Sequence, residues 1–537
     1  MKVVLIAPPI MDMVEQQLRP IAQDATRNCP PYGLYLLANI LRERQHEVII
    51  VDLIAAGTNR LAPSSRIVAN ADLIGITTSS LSWPTAVDVI RQIRRLHVRA
   101  PIVLGGVHAT MFDVYALEHF PVQYVIRGEA EIALPALCEA VERNRGIETV
   151  PNLSWKTKTN KVIRNPIGPL IESADLGSYP LPAFDLMPRG VYQSLSIESS
   201  RGCAFDCSFC STSYRQSWRS ISPAIFVDRL ERTMAYRPRT ICGAIHIVDD
   251  EFSIKTKRAV EIVRLLETRH LRPALVYDTR ANDLLDDKFT EAIAPFTNQF
   301  LVGAECGYDE GLHKIGKQTT CAKLEGAARK LRQYGISQRA NFSFILGLPW
   351  EGRQEIEKTI NFASRLYGEY GVKILLQGYC LIPGSRLWQG QREKLVLTEP
   401  MYDEFGFFRN LHFWYTSQRV SPSEAWEIED LILGLQWLAH LAHPGKHMIQ
   451  HSVSWSLSKY FPRSILNPKS EYAVGLESLR QVAHRSRSER PDERVAEDFT
   501  GSRGGLEATH VSVDQIAAPI AAPSSGTASE KEPRGLN

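Results

Sequence analysis

The sequence predicts an α/β protein in two main parts, a doubly wound parallel sheet followed by a partial β/α barrel. Three observations carry this. Short runs rich in Val, Ile and Leu alternate with amphipathic helical stretches from Met1 onward, the alternation pauses over a Pro- and Gly-rich segment at 151–190, and it resumes for six further units. At 537 residues, 44% hydrophobic and 23% charged, the chain can fill two or three cores.

The first part, 1–150, contains the runs "VVLIAP", "HEVIIVD", "DLIGIT", "PIVLGG" and "QYVIRG". Continuous apolar runs between helices read as parallel strands covered on both faces, a Rossmann-like domain whose ligands bind beyond the strands' carboxyl ends. Those ends carry Thr77, Thr78 and Ser79, then Gly105, Gly106 and His108, then Arg127, Gly128 and Glu129. Loops this small and glycine-rich let a large ligand approach the backbone, and these nine residues are the candidate contacts. The first run is ended by proline and is too short for a signal or spanning segment, so it reads as a buried strand of a cytoplasmic protein. A net charge of +3, from 62 basic and 59 acidic residues, gives no reason to expect nucleic acid or a charged membrane as partner.

The segment 151–190 reads as a linker with a short hairpin around 154–164. From 191 to 388 come "SLSIESS", "AIHIVDD", "ALVYDTR", "FLVGAEC", "RANFSFILG" and "KILLQGYC", separated by stretches such as "TKRAVEIVRLLETRH". Six units make a barrel that is not fully closed, with its chemistry at the carboxyl ends of the strands. The region 389–483, rich in Phe and Trp, is expected to be a small helical domain, core or lid, and the polar tail 484–537 to be disordered.

Of nine cysteines only three cluster, in "CAFDCSFC" after the first barrel strand: Cys203, Cys207 and Cys210. A structural zinc site wants four ligands, usually as two close pairs. Four-iron clusters are also held by thiolates, and with three from the protein one iron stays open for a substrate or cofactor. The redox cluster is the preferred reading.

This motif resembles the C-x-x-x-C-x-aromatic-C signature of radical S-adenosylmethionine (radical SAM) enzymes, with Phe209 at the aromatic position. "NCPPYGLYLLANILRERQHEVIIVD", "VLGGVHAT" and "YVIRGEAE" are similar to the cobalamin-binding domain that precedes the barrel in one large subfamily. "IVDDEF", "GAECGYDEGLHKIGKQTT", "FILGLPWEG" and "IPGSRLW" resemble its barrel segments, so the likeness spans roughly 1–390.

The resemblance implies a 4Fe-4S cluster on Cys203, Cys207 and Cys210, closed by the amino and carboxylate groups of S-adenosylmethionine, and cobalamin in the first domain. One electron would split the sulfonium to a 5′-deoxyadenosyl radical. It implies further that Phe209 lies beside the adenine, that Asp249, Asp250 or Glu251 binds the amino group, that Arg280 and Glu305 contact its carboxylate, amine or ribose, and that Gly347 packs on the adenine. For each polar residue outside the cysteine motif a barrel-rim salt bridge is the competing reading. An electron donor such as flavodoxin or ferredoxin and a small-molecule substrate complete the expectation. No Asp-x-His-x-x-Gly motif occurs, so His46 and His108 read as rim residues first; the radical subfamily commonly leaves cobalt without a histidine.

The leading function is a cobalamin-dependent methyltransferase acting on a carbon of a small natural-product substrate. The alternative keeps both cofactors in a cyclase or oxidoreductase of a tetrapyrrole, lipid or other metabolite without net methylation. Methylthiolation of tRNA is disfavoured because the first domain carries only Cys29 and Cys138. A binding module with a vestigial barrel is disfavoured by the intact cysteine triad.

Overall fold

The computed structural model describes residues 1–14, 17–20, 28–408 and 449–451. In β1 (Lys2–Ala7) the side chains of Val3, Leu5 and Ala7 enter one core and those of Val4 and Ile6 another. Both faces are covered, which is why the run is continuously apolar. A small hairpin follows, β2 (Met11–Val14) with β3 (Gln17–Pro20), and then the helix Tyr32–Glu43 leads to β4 (Glu47–Asp52). Next come β5 (Leu73–Thr77), β6 (Ile102–Gly105) and β7 (Tyr124–Ile126), all parallel. The order β4-β1-β5-β6-β7 is doubly wound, with the winding reversing between β1 and β5. That is the flavodoxin-like order, not the longer Rossmann one, and it opens a ligand crevice at the carboxyl ends.

The hairpin expected within the linker is β8 (Leu153–Lys156) with β9 (Val162–Arg164), but it belongs to the first sheet, β8 pairing antiparallel to β7. Without it β7 would be a bare edge. Asp113, buried in the helix Asp113–His119, accepts from Ser154 Oγ at 2.5 Å and pairs with Arg164, which fastens the hairpin. The first sheet therefore runs past residue 150.

The second sheet contains all six expected strands: β10 (Ser194–Ile197), then, beyond the short antiparallel pair β11 (Ser200–Arg201) and β12 (Arg219–Ser220), β13 (Ala244–Ile247), β14 (Leu275–Thr279), β15 (Thr297–Glu305), β16 (Ala340–Leu346) and β17 (Lys373–Gly378). They pair in chain order, all parallel. A seventh strand, β18 (Ile449–His451), pairs with β17 inside the region expected to be helical. The reason is the free ladder edge of β17, which three extended residues are enough to pair.

Helices return the chain between strands. In Cys321–Gln333 the residues Leu324, Ala327, Ala328 and Leu331 fall on one face and are buried, while Thr320 caps the start by accepting from the Lys323 amide. The helix Arg353–Tyr370 stops at Gly371, whose φ of 70° is left-handed. After the barrel, Asp403 accepts from Trp83 Nε1 at 2.6 Å and from Tyr115 Oη at 2.5 Å, so this segment docks on the first domain. Phe407 and Phe408 pack around Tyr402. The other aromatic residues expected in a lid, and the tail, lie outside the described residues.

Candidate functional site

β11 and β12 form the two legs of a flap that carries Cys203, Cys207 and Cys210. Gly202 begins it with φ +76°, where a Cβ would lie 2.6 and 2.7 Å from the carbonyls of Tyr214 and Ser217, so only glycine makes this turn. The flap is fastened to the barrel rim: the Ser208 amide donates to Ile315 at 2.9 Å, the Leu387 amide to Ser208 at 3.0 Å, and Arg386 to the Asp206 carbonyl at 2.7 Å. All three cysteines are free and half-buried. Burial pushes the Cys203 thiol up to about 11 and raises Cys207 and Cys210 as well. Against burial stand the Phe205 amide at Cys203, the Thr212 amide 3.4 Å from Cys210 Sγ, and the cations Lys317 and Arg280 near Cys207. Three thiols outside any disulfide, with amide donors at Cys203 and Cys210 and cations near Cys207, are the donor set that a thiolate-held cluster takes.

Over the flap, the Arg280 guanidinium stacks on Phe205 with its carbon 3.5 Å from the ring centre. One guanidinium nitrogen donates to the Lys317 carbonyl, while Nη1 is buried with no protein partner. A buried cation with an unused donor beside the thiols fits a carboxylate, as S-adenosylmethionine would present. Glu305, at a register shift of β15 with φ +65°, pairs with Lys317 Nζ at 2.7 Å. Gly347 turns the chain at φ +84° and donates its amide to Glu351 at 2.8 Å. Phe209 packs partly buried against the barrel core.

The acidic triplet divides. Asp249 is buried and accepts from the Ser199 amide (2.6 Å), Ser199 Oγ (2.5 Å) and Ser200 Oγ (2.6 Å), which leaves it bolting β13 to β10. Asp250 is exposed and accepts from Thr212 Oγ1 at 2.5 Å, inside the flap. Glu251 is buried on Ser253, and burial together with nearby Asp283 raises it to about 8.

In the first domain, Thr78 and Gly106 are locked together. The Thr78 amide and hydroxyl both donate to Gly105 at 2.8 Å, and Gly106, at φ +92°, approaches Thr78 so closely that a Cβ would be 2.3 Å from its carbonyl. Gly105 has open space where a Cβ would stand. Thr77 ends β5, and Ser79 bonds Ser82 at 3.0 Å. His108 is 1% exposed, stacked on Trp83 at 4.5 Å, and bonds Ser80 at 3.1 Å; burial pushes it down to about 3, so it is a neutral packing residue. Arg127 donates to the carbonyls of Asn152 and Asn165, and Gly128 donates its amide to Thr110. Glu129 is tied to Arg201 and Arg219.

Sequence reasoning picked the polar loop residues and missed their apolar neighbours. Leu81, Val107 and Ile132 follow β5, β6 and β7 and are 37%, 54% and 52% exposed. These are large apolar side chains left exposed in the loops that follow three adjacent strands of the first sheet. Phe205 and Lys317 were also passed over, although both stand inside the quoted motifs "CAFDCSFC" and "KIGKQTT".

Fold and site thus define a parallel β/α barrel with a three-cysteine flap at its mouth, preceded by a doubly wound sheet. The chain matches the family model for the B12 binding domain over residues 18–138 and that for the Radical SAM superfamily over 197–363, and it belongs to the radical SAM enzymes that carry a cobalamin domain. It is 28% identical over 404 residues to the Uncharacterized methyltransferase PH0819 of Pyrococcus horikoshii, covering 72% of this chain and 83% of that one. Identity to the Anaerobic magnesium-protoporphyrin IX monomethyl ester cyclase of Rubrivivax gelatinosus is 26% over 355 residues, 63% of this chain and 62% of that one. The fold is shared with the radical S-adenosylmethionine methyltransferase TsrM of Kitasatospora setae, solved with tryptophan substrate and a SAM analog, at TM-score 0.58, 21% identity, and 74% and 76% coverage. Among the described residues no helix is long and apolar enough to cross a membrane.

Proposed function

We propose that this enzyme transfers a methyl group from cobalamin to a carbon of a small-molecule substrate. When bound, the cluster and S-adenosylmethionine supply a radical able to abstract hydrogen from that carbon, and the corrin carries the methyl group. The chain's own residues hold and orient these groups. Cys203, Cys207 and Cys210 would hold the cluster, Arg280 would offer Nη1 to the sulfonium ligand's carboxylate, and Asp250, the exposed member of the acidic triplet, would face its ammonium with the oxygen that Thr212 leaves unused. Leu81, Val107 and Ile132 seat the corrin and keep water from it.

The observation that carries the reading is the presence, in one chain, of a three-thiol flap under an unsatisfied guanidinium and an apolar ledge at the doubly wound sheet. Likeness to the Uncharacterized methyltransferase PH0819 of Pyrococcus horikoshii supports the methyl outcome; likeness to the cyclase keeps ring formation as the second reading. Anaerobic turnover with methyl-labelled S-adenosylmethionine against candidate metabolites separates them. Label in the product together with deoxyadenosine supports methyl transfer, whereas an oxidised or cyclised unlabelled product refutes it.

A further inference from the structure

The two legs of the cysteine flap are held by one carboxylate. Arg201 of β11 and Arg219 of β12 are register partners, and both reach Glu129 Oε1, at 3.3 and 2.9 Å. Glu129 Oε2 accepts from the Ile171 amide at 2.9 Å, so both oxygens of this residue are bonded within the protein. Arg201 also pairs with Glu131 at 2.6 Å and with Glu198 at 2.7 and 2.9 Å. None of the side chains of Glu129, Glu131, Glu198, Arg201 and Arg219 exceeds 13% exposure. Glu129 and Glu131 stand on the loop after β7, immediately before the ledge residue Ile132, while Arg201 stands two residues before Cys203. At Gly128 a Cβ would lie 3.0 Å from Tyr214 Oη of the flap, so the two loops are packed without slack.

Apolar packing would join the two parts at less desolvation cost than buried charges, which bring fixed direction instead. We propose that Glu129 is a positioning residue which, through Arg201 and Arg219, sets the cysteine flap at a fixed distance and angle from the cobalamin loop. This rests on the two-cofactor reading above and adds a control of the separation between them. Methylation of cobalamin by S-adenosylmethionine depends on that separation, whereas cleavage of S-adenosylmethionine at the cluster does not.

The test uses the full chain reconstituted without oxygen with iron, sulfide and hydroxocobalamin, then given S-adenosylmethionine and a low-potential chemical reductant such as Ti(III) citrate, which supplies the electrons for the cluster and for taking cobalt through Co(II) to Co(I); it needs no substrate. In wild type and Glu129→Gln the magnetic interaction between Co(II) and the reduced cluster is read by EPR, alongside the ratio of cobalamin methylated to deoxyadenosine formed. The expected result is an altered spin–spin splitting and a ratio at least tenfold lower in Glu129→Gln, with partial recovery in Glu129→Asp, which keeps the charge. Unchanged splitting and ratio overturn the proposal, as does a parallel loss of both half-reactions with a lowered melting temperature, the mark of a merely structural role. Should Glu129→Gln not accumulate, Arg219→Lys releases one leg only, and wild-type splitting there overturns the proposal equally. A wild-type protein that takes up no cobalamin refutes the two-cofactor reading instead.

Discussion

Asp249 ends the second barrel strand, where a ligand to the sulfonium's ammonium is expected, yet its carboxylate is spent on the protein. It accepts from one buried amide and two buried hydroxyls at 2.5–2.6 Å, and Arg258 backs them by donating to the Ser199 carbonyl at 2.7 Å. Replacing it by alanine strips the acceptor from all three donors. Hydrogen bonds to a charged group contribute about 1.5–3 kcal/mol each; counting the amide in full and the rotatable hydroxyls at half gives a loss of roughly 3–6 kcal/mol. At about 2–4 °C per kcal/mol for a unit of this size, Asp249→Ala should melt at least about 6 °C below wild type by calorimetry of the apo form. Because β10 leads through Ser200 into the flap, iron uptake should fall with it. Asp250→Ala, which removes one exposed acceptor, should melt within about 3 °C of wild type. An Asp249→Ala protein that melts within about 3 °C of wild type and loads iron normally would refute the structural assignment.

Gly106→Ala should lower stability by roughly 2 kcal/mol or more and abolish cobalamin retention, since φ is +92° and the Thr78 carbonyl would be 2.3 Å away; a denaturant melt and the visible spectrum check both. Val107→Asp should leave the melting temperature within about 3 °C but weaken hydroxocobalamin binding tenfold or more, because it charges the ledge without touching the core. Glu251, raised from 4.5 to about 8, keeps in the folded state a proton that the unfolded chain releases above 4.5. Stability should therefore fall as pH rises through that window, and Glu251→Gln should flatten the slope; parallel melting curves for the two proteins would contradict this.

Both sheets and every barrel strand through β17 were legible because strands covered on both faces must be apolar throughout, as the split of β1 between two cores illustrates. The three cysteines were legible because their chemistry is local in sequence. Ownership of the hairpin β8–β9 was not, since only its pairing with β7 decides it. Nor was the difference between Asp249 and Asp250, adjacent carboxylates beyond the end of β13, of which Ser199 and Ser200 bury the first while the second lies exposed in a bend. His108 reads as a ligand-loop residue until Trp83 and Tyr402, from elsewhere in the chain, close around it together with nearby Phe112. Glu129 reads the same way until Arg201 and Arg219 claim it. Leu81, Val107 and Ile132 carry no sequence signal at all, because an apolar residue after a strand is normally buried.

Low-temperature EPR of the reduced, oxygen-free reconstituted protein, recorded before and after adding S-adenosylmethionine, reaches the root of this reading. A four-iron signal that changes on addition of the sulfonium, and that is absent from Cys203→Ala, Cys207→Ala and Cys210→Ala, is the predicted result. Zinc bound at those thiols, or an iron signal indifferent to the sulfonium, would contradict it.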